Sequence, residues 1–144
     1  MMKKTVNVLI VEDNEYYNNL LTATLKQCIR LKSEKWDFRI QFHSFTDSCE
    51  CLGKIRSFDF GENDSIAFID YYLGEGINGT HLIKVIKDQR LNTTVVLMSQ
   101  SRDVKKKVDP GWYDYFVEKD KSAPALCCLY LEQYLENKFY IPLV

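Results

Sequence analysis

An α/β domain of five strands alternating with five helices is predicted by three observations. Apolar runs of strand length alternate with stretches whose apolar residues recur at helical spacing. The clearest strand, residues 6–11 (VNVLIV), is β-branched with one polar interruption, as in a parallel sheet covered on both faces by right-handed crossovers. Polar residues recur at the carboxyl ends of the strand runs, which is where open parallel sheets bind ligands.

The first helix follows Asn14, a good N-cap, and its apolar stripe is Tyr17, Leu20, Leu21, Leu25, Cys28 and Ile29. The charged stretch LKSEKWD reads as a loop. Residues 38–45 (FRIQFHSF) alternate apolar and polar, the pattern of a strand nearer an edge. Asp47, with Glu50 three residues on, starts the second helix in the manner of a capping box, and Leu52, Ile55 and Phe58 form its apolar face. FGENDS reads as a loop into a third strand over 66–69. After a loop containing Gly74, Gly76 and Gly79, a third helix carries Leu82, Ile83, Val85 and Ile86. The fourth strand, 95–98, ends in Ser99. A lysine-rich helix near 104–108 stops at Pro110-Gly111. The fifth strand, 115–117, leads to Lys119. The last helix begins near Ser122, tolerates Pro124 in its first turn, and has Leu126, Leu129, Tyr130 and Tyr134 as its stripe. No repeat or linker interrupts the chain, so one domain is expected to fill residues 1–144.

Composition excludes several function classes. The 19 basic and 20 acidic residues leave a formal net charge of −1, so no global field draws the chain to nucleic acid or to an anionic membrane. No apolar run approaches the ~18–20 residues of a bilayer span. The N-terminal apolar run ends in two acids without a small-residue cleavage site, which favours a strand over a signal peptide and a cytoplasmic location. Cys28, Cys49, Cys51, Cys127 and Cys128 match neither a disulfide framework nor a zinc site and are expected to be reduced packing residues. His43 reads as structural, His81 as a helix-surface residue, and Lys105, Lys106 and Lys107 as a solvated face.

The polar strand ends form one set. Glu12 and Asp13 follow the first strand, Asp70 ends the third, Ser99 ends the fourth and Lys119 follows the fifth. Taken singly, each has a bland reading as a loop acid, a turn cap or a surface lysine; in register they describe a site. Three crowded carboxylates repel one another unless a cation joins them, and hard oxygen ligands favour Mg²⁺. An ammonium and a hydroxyl suit a phosphoryl group, whose transfer depends mostly on positioning and charge neutralisation. A carboxylate there can be the nucleophile and form an acyl phosphate, with Asp70 the best-placed candidate.

With these pieces, VLIVEDN, FIDYYLGEGINGTHLIKVIK, VVLMSQS and YFVEKD, the chain resembles a response-regulator receiver domain of two-component signalling, of the stand-alone single-domain type, over almost its whole length. The resemblance implies a flavodoxin-like (βα)5 three-layer sandwich with sheet order 2-1-3-4-5. It implies Mg²⁺ held by Glu12, Asp13, Asp70 and the backbone carbonyl of Tyr72, directly or through water. It further implies that Asp70 accepts a phosphoryl group from a histidine kinase or histidine phosphotransfer protein, that Ser99 and Lys119 grip the phosphoryl oxygens, and that Phe116 is the switch aromatic beside Ser99. Output would pass to a downstream protein, or to a second copy through helix four, strand five and helix five, with no direct nucleic-acid or membrane contact and no enzymatic output of its own.

The chain departs from that pattern at several points. Glu12 replaces the commoner Asp, Phe116 stands where Tyr is frequent, and Asp120 replaces the usual Pro after Lys119. Tyr72 and Gln100 are bulky, and the interval from Asp13 to Asp70 is long. These departures motivate a competing reading, a pseudo-receiver that docks partners without being phosphorylated. A haloacid-type phosphatase would need an acid two residues after the nucleophile, where Tyr72 stands. A flavodoxin would need a hydroxyl-rich loop after strand one, where the sequence reads EDNEYY and would repel phosphate.

Overall fold

β1 (Lys4–Val11) is flanked on both edges, and all of residues 6–11 are buried. It pairs in parallel with β2 (Phe38–Phe45) and with β3 (Asp64–Asp70). β4 (Thr93–Ser99) extends the sheet beyond β3, and β5 (Tyr115–Glu118) closes it, also in parallel. The order is β2-β1-β3-β4-β5, the 2-1-3-4-5 arrangement expected. This computed structural model describes residues 4–33, 38–57, 64–74, 78–89 and 92–139, with side chains at all of these except 31–33 and 139.

Five helices cover the sheet: α1 (Glu15–Ser33), α2 (Ser48–Arg56), α3 (Gly79–Gln89), α4 (Asp103–Lys107) and α5 (Ala123–Phe139). Side chains alternate across β1, so Val6, Val8 and Ile10 pack with α1 and α5, while Leu9 and Val11 pack with α2 and α3. The first layer adds Leu21, Leu25, Ile29, Cys127, Leu131 and Leu135; the second adds Leu52, Ile55, Leu82, Ile83 and Ile86. Each such side chain, once fully buried, contributes about 1.5–3 kcal/mol. The result is the three-layer sandwich, with α1 and α5 on one face.

Local chemistry sets the helix starts. Asn14 Oδ1 accepts from the Tyr17 amide at 2.9 Å, and Asp47 Oδ1 accepts from the Cys49 amide at 2.8 Å. Asn78 caps α3 in the same way, accepting from the His81 amide at 2.9 Å. The edge strand β2 alternates in burial from Phe38 to Phe42, as its sequence suggested, and ends with Phe45 buried in the opposite layer.

Several boundaries and faces differ from the sequence expectation. LKS belongs to α1 rather than to a loop. Asp64 and Ser65 belong to β3, because its pairing with β1 begins at Val6↔Asp64. A 3-10 turn, Pro110–Trp112, follows α4, started by Asp109 accepting from the Gly111 amide. Leu20 and Leu129 are exposed (42% and 47%), so neither lies on a buried stripe. The α5 stripe is Ala123, Cys127, Leu131, Tyr134 and Leu135. Phe58 lies outside the described residues. All five cysteines are free thiols, Lys105–Lys107 are exposed, and His43 bonds Asn7 Oδ1 at 2.9 Å in a structural role. Among the described residues no helix is long and apolar enough to cross a membrane.

Candidate functional site

β1 and β3 pair in parallel and end side by side, and their carboxyl ends bring the three acids together. One carboxylate oxygen each from Glu12, Asp13 and Asp70 lies within 4.8 Å of the others. Glu12 and Asp70 are buried, whereas Asp13 is exposed and opens the cluster to solvent. The backbone carrying Glu12 is fixed from two sides: its amide donates to Phe45 O at 3.0 Å, and Asn18 Nδ2 donates to Glu12 O at 3.1 Å and to Phe45 O at 2.9 Å. Asn18 is 1% exposed, and Ser44 Oγ and Thr22 Oγ1 donate to its Oδ1. One buried amide thus ties α1 to the ends of β1 and β2.

Lys119 enters this pocket from the end of β5. Its ammonium is 2.9 Å from Glu12 Oε1 and 3.6 Å from Asp70 Oδ2, with the side chain only 8% exposed. The ring of Tyr17 lies under the same ammonium, 4.4 Å from it to the centroid. One ammonium against three carboxylates leaves the pocket acidic. Burial, and next the negative charge of Glu12, push the Asp70 carboxyl up to about 8; Lys119 pulls the other way without cancelling them. Glu12 Oε2 is buried and has no hydrogen-bond partner. A buried lone carboxylate oxygen in an all-oxygen acid cluster fits a hard divalent cation, so Glu12, Asp13 and Asp70 could hold a metal ion.

The described ends of the connection after β3, residues 71–74 and 78–79, lie against these acids. The Gly79 amide donates to Tyr71 O at 2.9 Å, so tightly that a Cβ on Gly79 would lie 2.4 Å from Asp70 O. Gly74 has φ +76°, and a Cβ there would approach Asp13 Oδ2 to 3.2 Å. Glycine therefore permits the positive φ beside Asp13 at residue 74 and the close backbone approach to Asp70 at residue 79.

No family model matches the sequence, and no curated protein matches it either. Solved structures do. The Thermotoga maritima response regulator TrrA, in complex with Mg²⁺-BeF, is 21% identical at a TM-score of 0.61, covering 91% of this chain and 98% of that one. A CheY-like response-regulator receiver domain protein from Methanospirillum hungatei is 17% identical at 0.65, covering 95% and 97%. The receiver domain of a Francisella response regulator, 17% identical, also scores 0.65 and covers 92% and 98%. The fold is that of a response-regulator receiver domain.

On this receiver fold the remaining candidates fall as follows. Ser99 is fully buried at the end of β4, and its Oγ accepts from the Ser101 amide at 3.1 Å. Lys119 N donates to Ser99 O at 2.9 Å, which couples the ends of β4 and β5. Phe116 is half-buried beside Tyr113, with ring centroids 6.1 Å apart, in the layer that holds α2 and α3. Tyr72 is 54% exposed with its ring edge-on to Tyr71, and Gln100 is exposed, so both bulky side chains point into solvent at the rim. Asp120, in place of the receiver proline, accepts from both the amide and the hydroxyl of Ser122 at 2.9 and 2.8 Å. It thereby starts α5, and the described residues contain no cis peptide bond. Two site residues escaped the sequence reading: Tyr17, taken for plain core, and Asn18. The signal for Asn18 was present, because residues 18, 21, 25 and 29 share one helical phase.

Proposed function

We propose that this chain is a two-component receiver that accepts a phosphoryl group on Asp70, with Mg²⁺, from a phosphohistidine of a histidine kinase or histidine phosphotransfer protein. The observation that carries the reading is the buried Lys119 ammonium between Glu12 Oε1 and Asp70 Oδ2. A carboxylate paired this way, beside a second acid with an orphaned oxygen, is poised for anionic chemistry and not for packing.

Glu12, Asp13, Asp70 and the Tyr72 carbonyl would hold Mg²⁺, which supplies charge neutralisation for the incoming phosphoryl group. Asp70 attacks phosphorus with one carboxylate oxygen; the new O–P bond forms as the N–P bond to the donor histidine breaks. Lys119 moves its ammonium from Glu12 toward the phosphoryl oxygens, and the Ser99 hydroxyl leaves the Ser101 amide to donate to them. Phe116 then takes the space that Ser99 vacates. The surface of α4, β5 and α5 changes and binds a downstream protein or a second copy. A cytoplasmic location without direct nucleic-acid or membrane contact suits this role.

The test is to incubate the protein with Mg²⁺ and a small acyl-phosphate donor and to weigh it intact. One added phosphoryl group is expected, absent in Asp70→Asn and absent from the unmutated protein when Mg²⁺ is omitted. An adduct that survives Asp70→Asn, or none from donor or kinase, overturns the reading.

One observation favours a second reading, the phosphate-independent docking module: the Lys119 ammonium is already committed to Glu12 at 2.9 Å. Mg²⁺ titration separates the two, because a working acidic site binds the ion at millimolar concentration or better and a dead one does not.

A further inference from the structure

The five thiols differ in surroundings, and none belongs to the acidic site. Cys51 and Cys127 are fully buried, and burial pushes both up to about 12, which leaves them inert. Cys49 is exposed on α2. Cys28 on α1 and Cys128 on α5 are half-buried and meet where the two helices pack on one face of the sheet. Cys28 Sγ donates to Leu25 O at 3.3 Å, and Cys128 Sγ donates to Thr24 O at 3.7 Å. Two sulfurs from distant parts of the chain therefore reach consecutive carbonyls of a single helical turn. A side-chain hydrogen bond with Cys28 also draws the Cys128 thiol below its usual range, against the burial that raises it. Packing alone explains one half-buried cysteine on each helix. It does not require that both sulfurs converge on one turn of α1.

We propose that Cys28 and Cys128 are a peroxide-oxidisable pair that closes to a disulfide joining α1 to α5. The Cys128 thiolate attacks one oxygen of hydrogen peroxide; the O–O bond breaks, hydroxide leaves, and Cys128 becomes a sulfenic acid. The Cys28 sulfur then attacks the Cys128 sulfur; the S–O bond breaks, and water carries away the oxygen with the Cys28 proton. In sum, two thiols and one peroxide give one disulfide and two waters, with both sulfurs oxidised and the peroxide reduced. Turns about χ1 would bring the two sulfurs, which converge on one turn of α1, to a bond of about 2.05 Å. The bond would join the helix that follows Glu12 and Asp13 to the helix that follows Lys119, and so clamp the two elements flanking the acidic pocket. The chemistry is independent of the phosphoryl reading.

To test it, the reduced full chain is treated with a small excess of hydrogen peroxide, alkylated, weighed intact and mapped by peptide. The expected result is the loss of two hydrogens and a single cross-linked peptide pair containing Cys28 and Cys128. The bridge should disappear on dithiol reduction and in Cys28→Ser, and persist in Cys49→Ser. The oxidised chain should also unfold at a higher temperature than the reduced one. A bridge within Cys127–Cys128 or Cys49–Cys51, a bridge between two copies, or oxidation to sulfinic acid without a bridge would each overturn it. Mapping of the unmutated chain decides the matter even if Cys28→Ser fails to fold.

Discussion

Lys119 holds three relationships at once: an ion pair with Glu12, a longer contact with Asp70 at 3.6 Å, and the face of Tyr17 beneath it. A buried ammonium is tolerated only because these partners replace its water. The ring contact is worth about 0.5–2 kcal/mol. Tyr17→Leu should therefore weaken binding of a beryllium fluoride phosphoryl mimic, in saturating Mg²⁺, by roughly 2- to 30-fold. Tyr17→Phe keeps the ring and should stay near the unmutated value. Calorimetric titration of the three proteins measures it, and equal affinities would show that the ring does not position Lys119. Asp70 carries a pH signature. With its carboxyl pushed up to about 8, the metal-free protein keeps that proton at neutral pH, and a cation must displace it. Mg²⁺ affinity should then rise, by about tenfold per pH unit, as pH climbs toward 8 and level off above it. A flat profile between about pH 6 and pH 8 would contradict the buried, acid-crowded environment of Asp70.

Where α3 begins, Gly79 leaves no room for a side chain. An added Cβ at Gly79 meets only backbone, Asp70 O at 2.4 Å and Tyr71 Cα at 2.9 Å, so no side chain can yield. Gly79→Ala should cost roughly 1–3 kcal/mol of stability, read by urea unfolding, and should weaken Mg²⁺ binding through the displaced Asp70. Unchanged stability would mean that the turn opens freely. Strand positions were legible because a buried parallel strand is apolar throughout, which leaves few competing patterns. Helix faces were less so. Residues 123–139 carry apolar side chains on every side, so their spacing selects no single stripe, and Leu129 faces solvent while Leu131 does not. On α1, packing against the β1 and β2 ends chose Asn18 for burial over Leu20. An amide can satisfy two strand-end carbonyls, and leucine cannot.

Over the whole molecule, the two ends of the sheet divide the work. The carboxyl end carries the acidic pocket; the other end is held by Asp64, buried at the start of β3, with Lys4 at 2.8 Å and Lys138 at 3.3 Å. Burial raises the Asp64 carboxyl, but the two lysines outweigh it and hold it below its ordinary 3.8. A depressed carboxylate lends stability above its unfolded value and loses it as pH falls through the folded one. The unmutated protein should thus lose stability as pH drops below about 4, and Asp64→Asn should flatten that acid limb in thermal melts. A limb of identical slope would assign the acid loss to other carboxylates. The site at the opposite end was legible because its members follow successive strands, and parallel topology gathers strand ends without any further information. The Lys119–Tyr17 stacking and the Asn18 clamp were not legible, because they depend on how α1 is rotated over the sheet.

The most direct measurement is a crystal structure grown with Mg²⁺ and beryllium fluoride. The mimic should be bonded to an Asp70 oxygen, with Lys119 moved from Glu12 onto its fluorides, the Ser99 hydroxyl turned toward it, and the ion against Glu12 and Asp13 directly or through water. An empty Asp70 at saturating Mg²⁺ and beryllium fluoride, with Lys119 still on Glu12, would contradict phosphoryl acceptance at this site.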